Sequence, residues 1–461
     1  MELVDLPLRT RVAALAGRAI ADASRWVGAG EGSVIGGRVA LAIDQRSLEL
    51  MAAGHQSAVV SGTNGKTTTT RLLAAALASR GPVSTNSAGA NLIPGLVSTL
   101  FRGRAGAAVA LEVDEGHLAE AVAAVHPTAV VLLNLSRDQL DRFGEVRRHA
   151  SDWRLALLSS PGTVVIANVD DPLVTWAAGA CAPDGATPPA VTWVGTGQRW
   201  RADASACPNC GSRIRWTEAR TERGGPRWAC TSCPLARPRP DAWLEGEDLV
   251  LADGRRFQVR LQLPGWCNLA NAAMAVAGAM ALGVDPGRAV RAMSRVRAVA
   301  GRYQVIAVGS TRVRLLLAKN PAGWAEALDL IRPPPTPVVI GINAGVADGR
   351  DPSWLWDVPF ERLRGRLVVA TGERGLDLAV RLRYADVRHT FEPDYRKAVM
   401  AAAAGGALGA RQPELDFVAN YTSFQDARRA LASGRRVPGA PPVPGRSPQA
   451  RHAARSSPAG G

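Results

Sequence analysis

Lysine is nearly missing from this sequence. Of 55 basic residues in a chain of 461, only Lys66, Lys319 and Lys397 are lysines, and arginine supplies the remaining 52. Arginine for lysine on this scale, beside abundant alanine and glycine, reads as the coding bias of a GC-rich genome. The formal charge of +15 therefore has an ordinary reading, a solvated basic surface, with nucleic acid or an anionic membrane surface as alternatives. The scarcity also means that a lysine inside a motif is there for chemistry. Long apolar runs are lacking too. The most apolar helical stretch, LANAAMAVAGAMALGV (269–284), is short for a membrane span, contains Asn271 and predicts a core helix. Nothing at the N-terminus has the form of a signal peptide, because MELVDLPLRTRVAALAGRAIADASRW spreads arginines through its apolar residues. These absences predict a soluble, cytoplasmic protein with at most peripheral contact to the inner face of the membrane. There are no internal repeats.

What is present suggests two or three domains with sizeable cores, given the length and 47% apolar residues. Residues 1–50 predict an N-terminal helical segment, one amphipathic helix and a connection. From about 56 to 180 the strand-like runs SAVVSG, AAVALEV, AVVLLNL and GTVVIANVD alternate with helical patterns. That rhythm belongs to βαβ units and a parallel sheet. The expected ATP-binding central domain, 51–300, is interrupted at about 200–240 by a stretch rich in Arg, Pro, Cys and Trp. A second α/β pattern fills 301–436. Residues 437–461, rich in Pro, Ala, Arg and Ser without periodicity, predict a disordered tail.

Within VVSGTNGKTTTTRLLAAAL (59–77) a strand, a Gly-rich turn and a helix follow in order. Gly62, Thr63, Asn64, Gly65, Lys66, Thr67 and Thr68 have the composition of a phosphate loop. Backbone N–H groups would wrap the phosphates, Lys66 would reach the terminal ones, and the Thr67 hydroxyl would ligate Mg²⁺. An ordinary Gly turn is the competing reading, and one of only three lysines stands against it. Carboxylates end the neighbouring strands: Glu112, Asp114 and Glu115 in LEVDEGHL, Asp138 and Asp141 in NLSRDQLDRFGEV, and Asp170 and Asp171 in ANVDDP. Each alone could be a helix cap. Together they point to a nucleotide site with Mg²⁺ held by Thr67 and Glu112.

The order GTNGKTT, strand-end Glu, N-x-x-x-D-Q-x-D-R and N-x-D-D-P resembles the Mur ligase family. Asn268 and Asn271 in LPGWCNLANAAMA match its adenine-contacting segment, and Gly301-Arg302 its border with the C-terminal domain. The resemblance implies a P-loop ATPase core and a carboxylate activated by ATP as an acyl phosphate for attack by an amine. Gln139 stands where the family usually has a metal-linked His. The carbamylated lysine found later in most members is impossible here, since no lysine lies between Lys66 and Lys319.

Cys207-Pro-Asn-Cys210 and Cys230-Thr-Ser-Cys233 have the spacing of a zinc ribbon, four thiolates closing a structural Zn²⁺ shell. Disulfides are the lesser reading for a cytoplasmic chain, and a nucleic-acid-binding ribbon is a further one. Cys181 and Cys267 remain over and are expected to be buried.

A Mur-type core with such an insertion, together with LLLAKNPAGW (315–324) and ADGRDPSWLWD (347–357), is similar to the MurT branch, the ligase-like subunits of lipid II isoglutaminyl synthases. That resemblance makes DQLDRFGE an expected variant. It implies amidation of the α-carboxylate of D-isoglutamate in the lipid II stem peptide. The ammonia would come from a separate GatD-type glutaminase in a heterodimer. Asp351 would orient a histidine of that partner, with Lys66 and Glu112 serving the ligase step. The chain itself offers no convincing nucleophile turn at Cys181 or Cys267, and His389 is the sole histidine of the C-terminal domain. Capping of the following turn is the competing role for Asp351, and Asp348 is the lesser candidate. Trp354 and Trp356 are core or interface anchors. Lys319 and Asn320 suit an anion, or only a strand end. A free-standing amide ligase of the Mur or folylpolyglutamate type, a zinc-ribbon nucleic-acid-binding ATPase and a silent scaffold are the alternatives. No nucleic acid is expected as partner.

Overall fold

The computed structural model describes residues 6–27, 33–86, 90–104, 106–137, 146–182, 187–220, 226–296, 303–345, 348–405 and 414–432. The first sheet is built from β1 (Ser57–Ser61), β2 (Val83–Thr85), β3 (Ala108–Glu112), β4 (Ala129–Leu132), β5 (Val164–Asn168) and β6 (Val191–Gly195). A separate hairpin of β7 (Ile214–Arg220) and β8 (Pro226–Cys230) follows. The first sheet is then completed by β9 (Ala242–Glu245), β10 (Asp248–Leu251) and β11 (Arg256–Gln258). Its order is β11-β10-β9-β6-β5-β4-β1-β3-β2. Pairing is parallel from β2 to β9 and antiparallel for β10 and β11.

The strands are apolar on both sides because both faces are covered. Val59, Val130, Leu132, Val165 and Ala167 pack into one core, with residues of the helices Leu8–Trp26, Ile93–Arg102, Leu118–Val125 and Val146–Leu158. Ala58, Val60, Ala129, Val131 and Ile166 point the other way, onto Lys66–Leu77, Trp266–Ala281 and Pro286–Met293. Alternation at period two splits each strand between two cores, which is why the sequence shows continuous apolar runs rather than alternating ones. The stretch around 269 is the expected core helix. The N-terminal segment holds three helices, not one: Leu8–Trp26, Ser33–Ile43 and Ser47–Ala52. The second, SVIGGRVALAI, lacks a polar stripe and carries two glycines, so packing rather than propensity secures it.

The C-terminal sheet comprises β12 (Tyr303–Val308), β13 (Thr311–Leu317), β14 (Val338–Gly341), β15 (Val368–Thr371), β16 (His389–Phe391) and β17 (Glu414–Ala419). Its order is β12-β13-β17-β14-β15-β16. Val338, Ile340, Val368 and Ala370 face one core while Val339 and Val369 face another. Among the described residues no helix is long and apolar enough to cross a membrane.

In the first sheet the chain leaves β1 in both directions, toward β3 on one side and β4 on the other. A crevice opens at the carboxyl ends of strands where the order reverses in this way. Here the C-terminal sheet closes it on the far side, leaving a cleft of about 530 Å³.

Candidate functional site

The loop after β1 owes its shape to two contacts. Gly65 caps the helix Lys66–Leu77 in the left-handed region, φ +89°. A Cβ there would stand 2.3 Å from Asn271 Oδ1, so only glycine fits and Asn271 presses on the loop from the core helix. From below, Asn64 N–H donates to Asn134 Oδ1 at 2.9 Å, and Asn134 Nδ2 donates back to the Asn64 carbonyl at 3.0 Å. Thr63 Oγ1 is tied to the Ser136 backbone, donating to its carbonyl at 3.1 Å and accepting its N–H at 3.0 Å. The loop is thus rigid from Thr63 to Gly65, with the N-terminus of a twelve-residue helix at its end, the geometry that receives an anion.

Lys66 is buried and its Nζ donates to Glu115 Oε2 at 2.6 Å and to the Thr63 carbonyl at 3.3 Å. Glu115 is thereby the ion-pair partner of the loop's lysine. Glu112, at the end of β3, is 3% exposed. Its Oε1 accepts from Thr67 Oγ1 at 3.1 Å, while Oε2 is buried with no hydrogen-bond partner among the described residues. A buried carboxylate oxygen left unsatisfied beside a threonine hydroxyl is the donor set of a hard divalent cation, and Mg²⁺ fits it. Asp114 caps the turn Glu115–His117 through Gly116 N–H at 3.2 Å.

Asp170 and Asp171, at the end of β5, are fully buried and serve structure. Asp171 caps the helix Pro172–Ala177 and also accepts Leu135 N–H at 2.9 Å. Burial pushes its carboxyl up to about 6 despite those donors. Asp170 accepts Arg237 Nε at 2.8 Å through one oxygen and the N–H groups of Thr196 and Gly197 at 2.8 and 2.6 Å through the other. Gly197 then lies under Trp266, whose Nε1 donates to the Thr196 carbonyl at 2.8 Å. Trp266, Asn268 and Asn271 all line the cleft on this side. The Asn268 amide donates to the Pro264 carbonyl at 2.6 Å.

The far wall comes from the C-terminal sheet. Asn320 caps the helix Pro321–Leu330 through Gly323 N–H at 2.8 Å. The Asn64 and Asn320 side chains exchange amide hydrogen bonds, 3.2 Å each way, across the cleft. Lys319 lies over the Tyr421 ring, 5.3 Å from its centroid, and faces the same cleft. Sequence reasoning singled out Asn64, Lys319 and Asn320 but not the Asn64–Asn320 pairing: a pair 256 residues apart leaves no local signal.

The four cysteines converge as expected. Their sulfurs all lie within 4.8 Å of one another. Cys207 and Cys233 are 3.6 Å apart and Cys210 and Cys230 3.4 Å, too far for a disulfide. Thiolates about 2.3 Å from a tetrahedral Zn²⁺ stand roughly 3.8 Å from each other, so the cluster fits that ion. Burial pushes the Cys207 thiol up to about 12, and hydrogen bonds from Ser212 bring Cys210 down to about 6. A central cation would hold Cys207 as a thiolate against its burial. Cys181 and Cys267 are half-buried, not fully as expected.

Asp348 and Asp351 part company. Asp348 is buried and accepts the backbone N–H and hydroxyl of Thr422, with its carboxyl pushed up by burial. Asp351 is exposed; its Oδ1 accepts Ser353 N–H and its Oδ2 the Ser353 hydroxyl, both at 2.8 Å. Those bonds hold its carboxyl below the usual range. Trp354 stacks on Trp324 in the core, whereas Trp356 is exposed against Tyr384. Asp138, Gln139, Asp141, Gly301, Arg302 and the 437–461 tail lie outside the described residues.

Comparison with known proteins agrees with this geometry. The Mur ligase middle domain family matches residues 60–187 and the MurT ligase C-terminal family residues 317–424. The lipid II isoglutaminyl synthase (glutamine-hydrolyzing) subunit MurT of Streptococcus pneumoniae is 32% identical over 403 residues, covering 82% of this chain and 87% of its own. Its Staphylococcus aureus counterpart is 28% identical, covering 79% and 85%. Among solved structures, a pseudomurein peptide ligase type C from Methanothermus fervidus aligns with TM-score 0.61 and 17% identity over 82% of this chain and 79% of its own. MurF from Acinetobacter baumannii aligns with TM-score 0.59 and 18% identity over 86% and 81%. Those two likenesses speak for the fold alone.

Proposed function

The chain belongs to the MurT family of Mur ligases and is an ATP-dependent ligase of peptidoglycan synthesis, and from that premise we propose that it amidates the α-carboxylate of D-isoglutamate in lipid II. The observation that carries the proposal is the cleft in which the Thr63–Thr68 loop, Glu112, Asn268 and Asn271 face Lys319 and Gly323. The loop's N–H groups and Lys66 hold the ATP phosphates. Lys66 exchanges Glu115 for them, because a phosphate entering the loop competes for the same ammonium. Thr67 and Glu112 would hold Mg²⁺, which would supply positive charge to the phosphates. Lys319 holds the substrate carboxylate for attack on the γ-phosphorus, which breaks the bond to the β-phosphate and releases ADP. The acyl phosphate so formed sits between the two sheets, where water is excluded until ammonia displaces phosphate.

Ammonia is supplied by a separate glutaminase subunit, and Asp351 orients that partner's histidine. An exposed carboxylate, kept ionised and fixed by two hydrogen bonds, supports this role. The same bonds would be made by a plain cap of the turn Ser353–Asp357, and one substitution separates the two. Asparagine caps as well as aspartate but brings no charge to a histidine. Amidation of lipid II with Mg-ATP is followed by mass spectrometry, with ammonium for the chain alone and with glutamine for the chain plus glutaminase. Asp351→Asn is expected to leave the ammonium reaction unchanged and to lower the glutamine reaction by about a hundredfold or more. Equal activity with glutamine would make Asp351 a cap only. Failure of the unaltered chain with both nitrogen sources would remove the isoglutaminyl synthase reading altogether.

A further inference from the structure

The cysteine hairpin carries a second concavity, of about 590 Å³, that the ligase reaction leaves unused. Arg215 pairs with Ala229 and Thr217 with Arg227 across β7 and β8, so these four share one face of the hairpin. The Ala236–Pro240 segment runs alongside, bridged to Ala229 through Ala236. The floor is aliphatic, made by Ala229, Ala236, Pro238 and Pro240, and the rim is arginine. Among the described residues, Arg215, Arg227 and Arg239 are exposed with no acidic partner, and no Asp or Glu lines the groove. Arg237 differs: its guanidinium is buried on Asp170 and anchors the groove to the sheet. Because Asp170 also holds Thr196, a residue of the ligation cleft, the two concavities share a wall.

We propose that this groove binds the phosphate headgroup of a lipid, a step that rests on the lipid-linked substrate of the proposed function. An arginine rim over an aliphatic floor suits an amphiphile, with the fork of each guanidinium on phosphate oxygens and the floor against the first apolar atoms. A single nucleic-acid strand suits it less. Base stacking needs exposed rings, and the groove's one ring, Trp228, is 2% exposed. With no described helix able to span the bilayer, a groove of this kind would let the enzyme meet its substrate at the surface. The headgroup has two sources, bulk anionic phospholipid and the diphosphate of a polyprenyl carrier.

The test is flotation of the full chain with neutral phosphatidylcholine vesicles, alone or doped with phosphatidylglycerol or with polyprenyl diphosphate. Arg215→Glu, Arg227→Glu and Arg239→Glu are combined in one variant, whose fold is checked by zinc content and by thermal unfolding. Each arginine near an anionic surface is worth about fivefold, so the triple variant is expected to bind doped vesicles about a hundredfold more weakly. Binding of the unaltered chain to diphosphate-doped vesicles alone assigns the groove to the carrier; binding to both dopants assigns it to lipid phosphate at large. A chain that amidates lipid II in detergent yet floats no better with doped than with neutral vesicles overturns the groove and spares the ligase. Vesicle binding unchanged in the triple variant also overturns it, as does retention by single-stranded oligonucleotides without vesicle binding. Arginine-dependent flotation without amidation upholds the groove while the ligase reading falls.

Discussion

Lys66, within the phosphate loop, and Glu112, at the end of β3, should fail differently. Lys66→Ala removes the one ammonium of the loop, and kcat is expected to fall by about a hundredfold or more at any magnesium concentration. Glu112→Gln keeps the hydrogen bond from Thr67 but removes the charge, so part of its loss should return as magnesium is raised. Steady-state rates across a magnesium series check this, and an unchanged magnesium dependence would take Glu112 out of that role. Asp171 sets a different test, of stability and pH. Its carboxyl rises from 3.8 to about 6 on folding. Folding therefore favours the protonated form, and the contribution is complete below pH 3.8 and lost as pH rises through about 6. The gap corresponds to roughly 3 kcal/mol. Asp171→Asn should be less stable throughout, because its amide cannot accept from Leu135 as the carboxylate does. It should also lack that decline between pH 4 and 7, as denaturant unfolding at several pH values would show. From sequence, Asp170 and Asp171 looked like strand-end members of the nucleotide site or helix caps; burial and the bonds to Arg237 and to backbone N–H groups are what make them structural.

At the scale of elements, the motifs whose chemistry is local were legible. The phosphate loop, each Cys-x-x-Cys turn and each buried parallel strand fit within a dozen or so consecutive residues, so local spacing carries them. The helix Ser33–Ile43 was not legible, since its apolar residues and glycines leave no stripe to read. The cysteine hairpin is tied to the sheet at several points. Trp228 Nε1 donates to the Val169 carbonyl at 2.9 Å, Trp176 to Asn209 Oδ1 at 3.1 Å, and Arg237 is paired with Asp170. Replacing Cys207 by Ser should abolish zinc retention and open the hairpin while the sheet beneath survives. Zinc analysis with limited proteolysis checks this, the expected cuts falling between 205 and 236. Cuts spread evenly through the chain would mean instead that the ion supports the whole fold.

Across the whole molecule the two sheets are joined by polar contacts that no local pattern announced. The Asn64–Asn320 amide pair, Arg137 on Asp357 at 3.2 Å and Arg199 on Asp329 at 3.1 Å all cross the cleft. The amide pair alone reaches the phosphate loop. Asn64→Ala and Asn320→Ala, singly and together, are expected to show a coupling of roughly 1 kcal/mol in kcat/KM for ATP, since each removes the same bonds. Strictly additive effects would mean that the pair does not act in the closed state. The scarcity of lysine has one more consequence. Lys66 and Lys319 line the cleft while Lys397 is exposed at the start of a distant helix. An amine-directed label applied to the native protein therefore meets one occupancy gauge, the exposed Lys319, and one internal standard, while Lys66 is already shielded on Glu115. Protection of Lys319 relative to Lys397 would report substrate loading peptide by peptide, with no engineered tag.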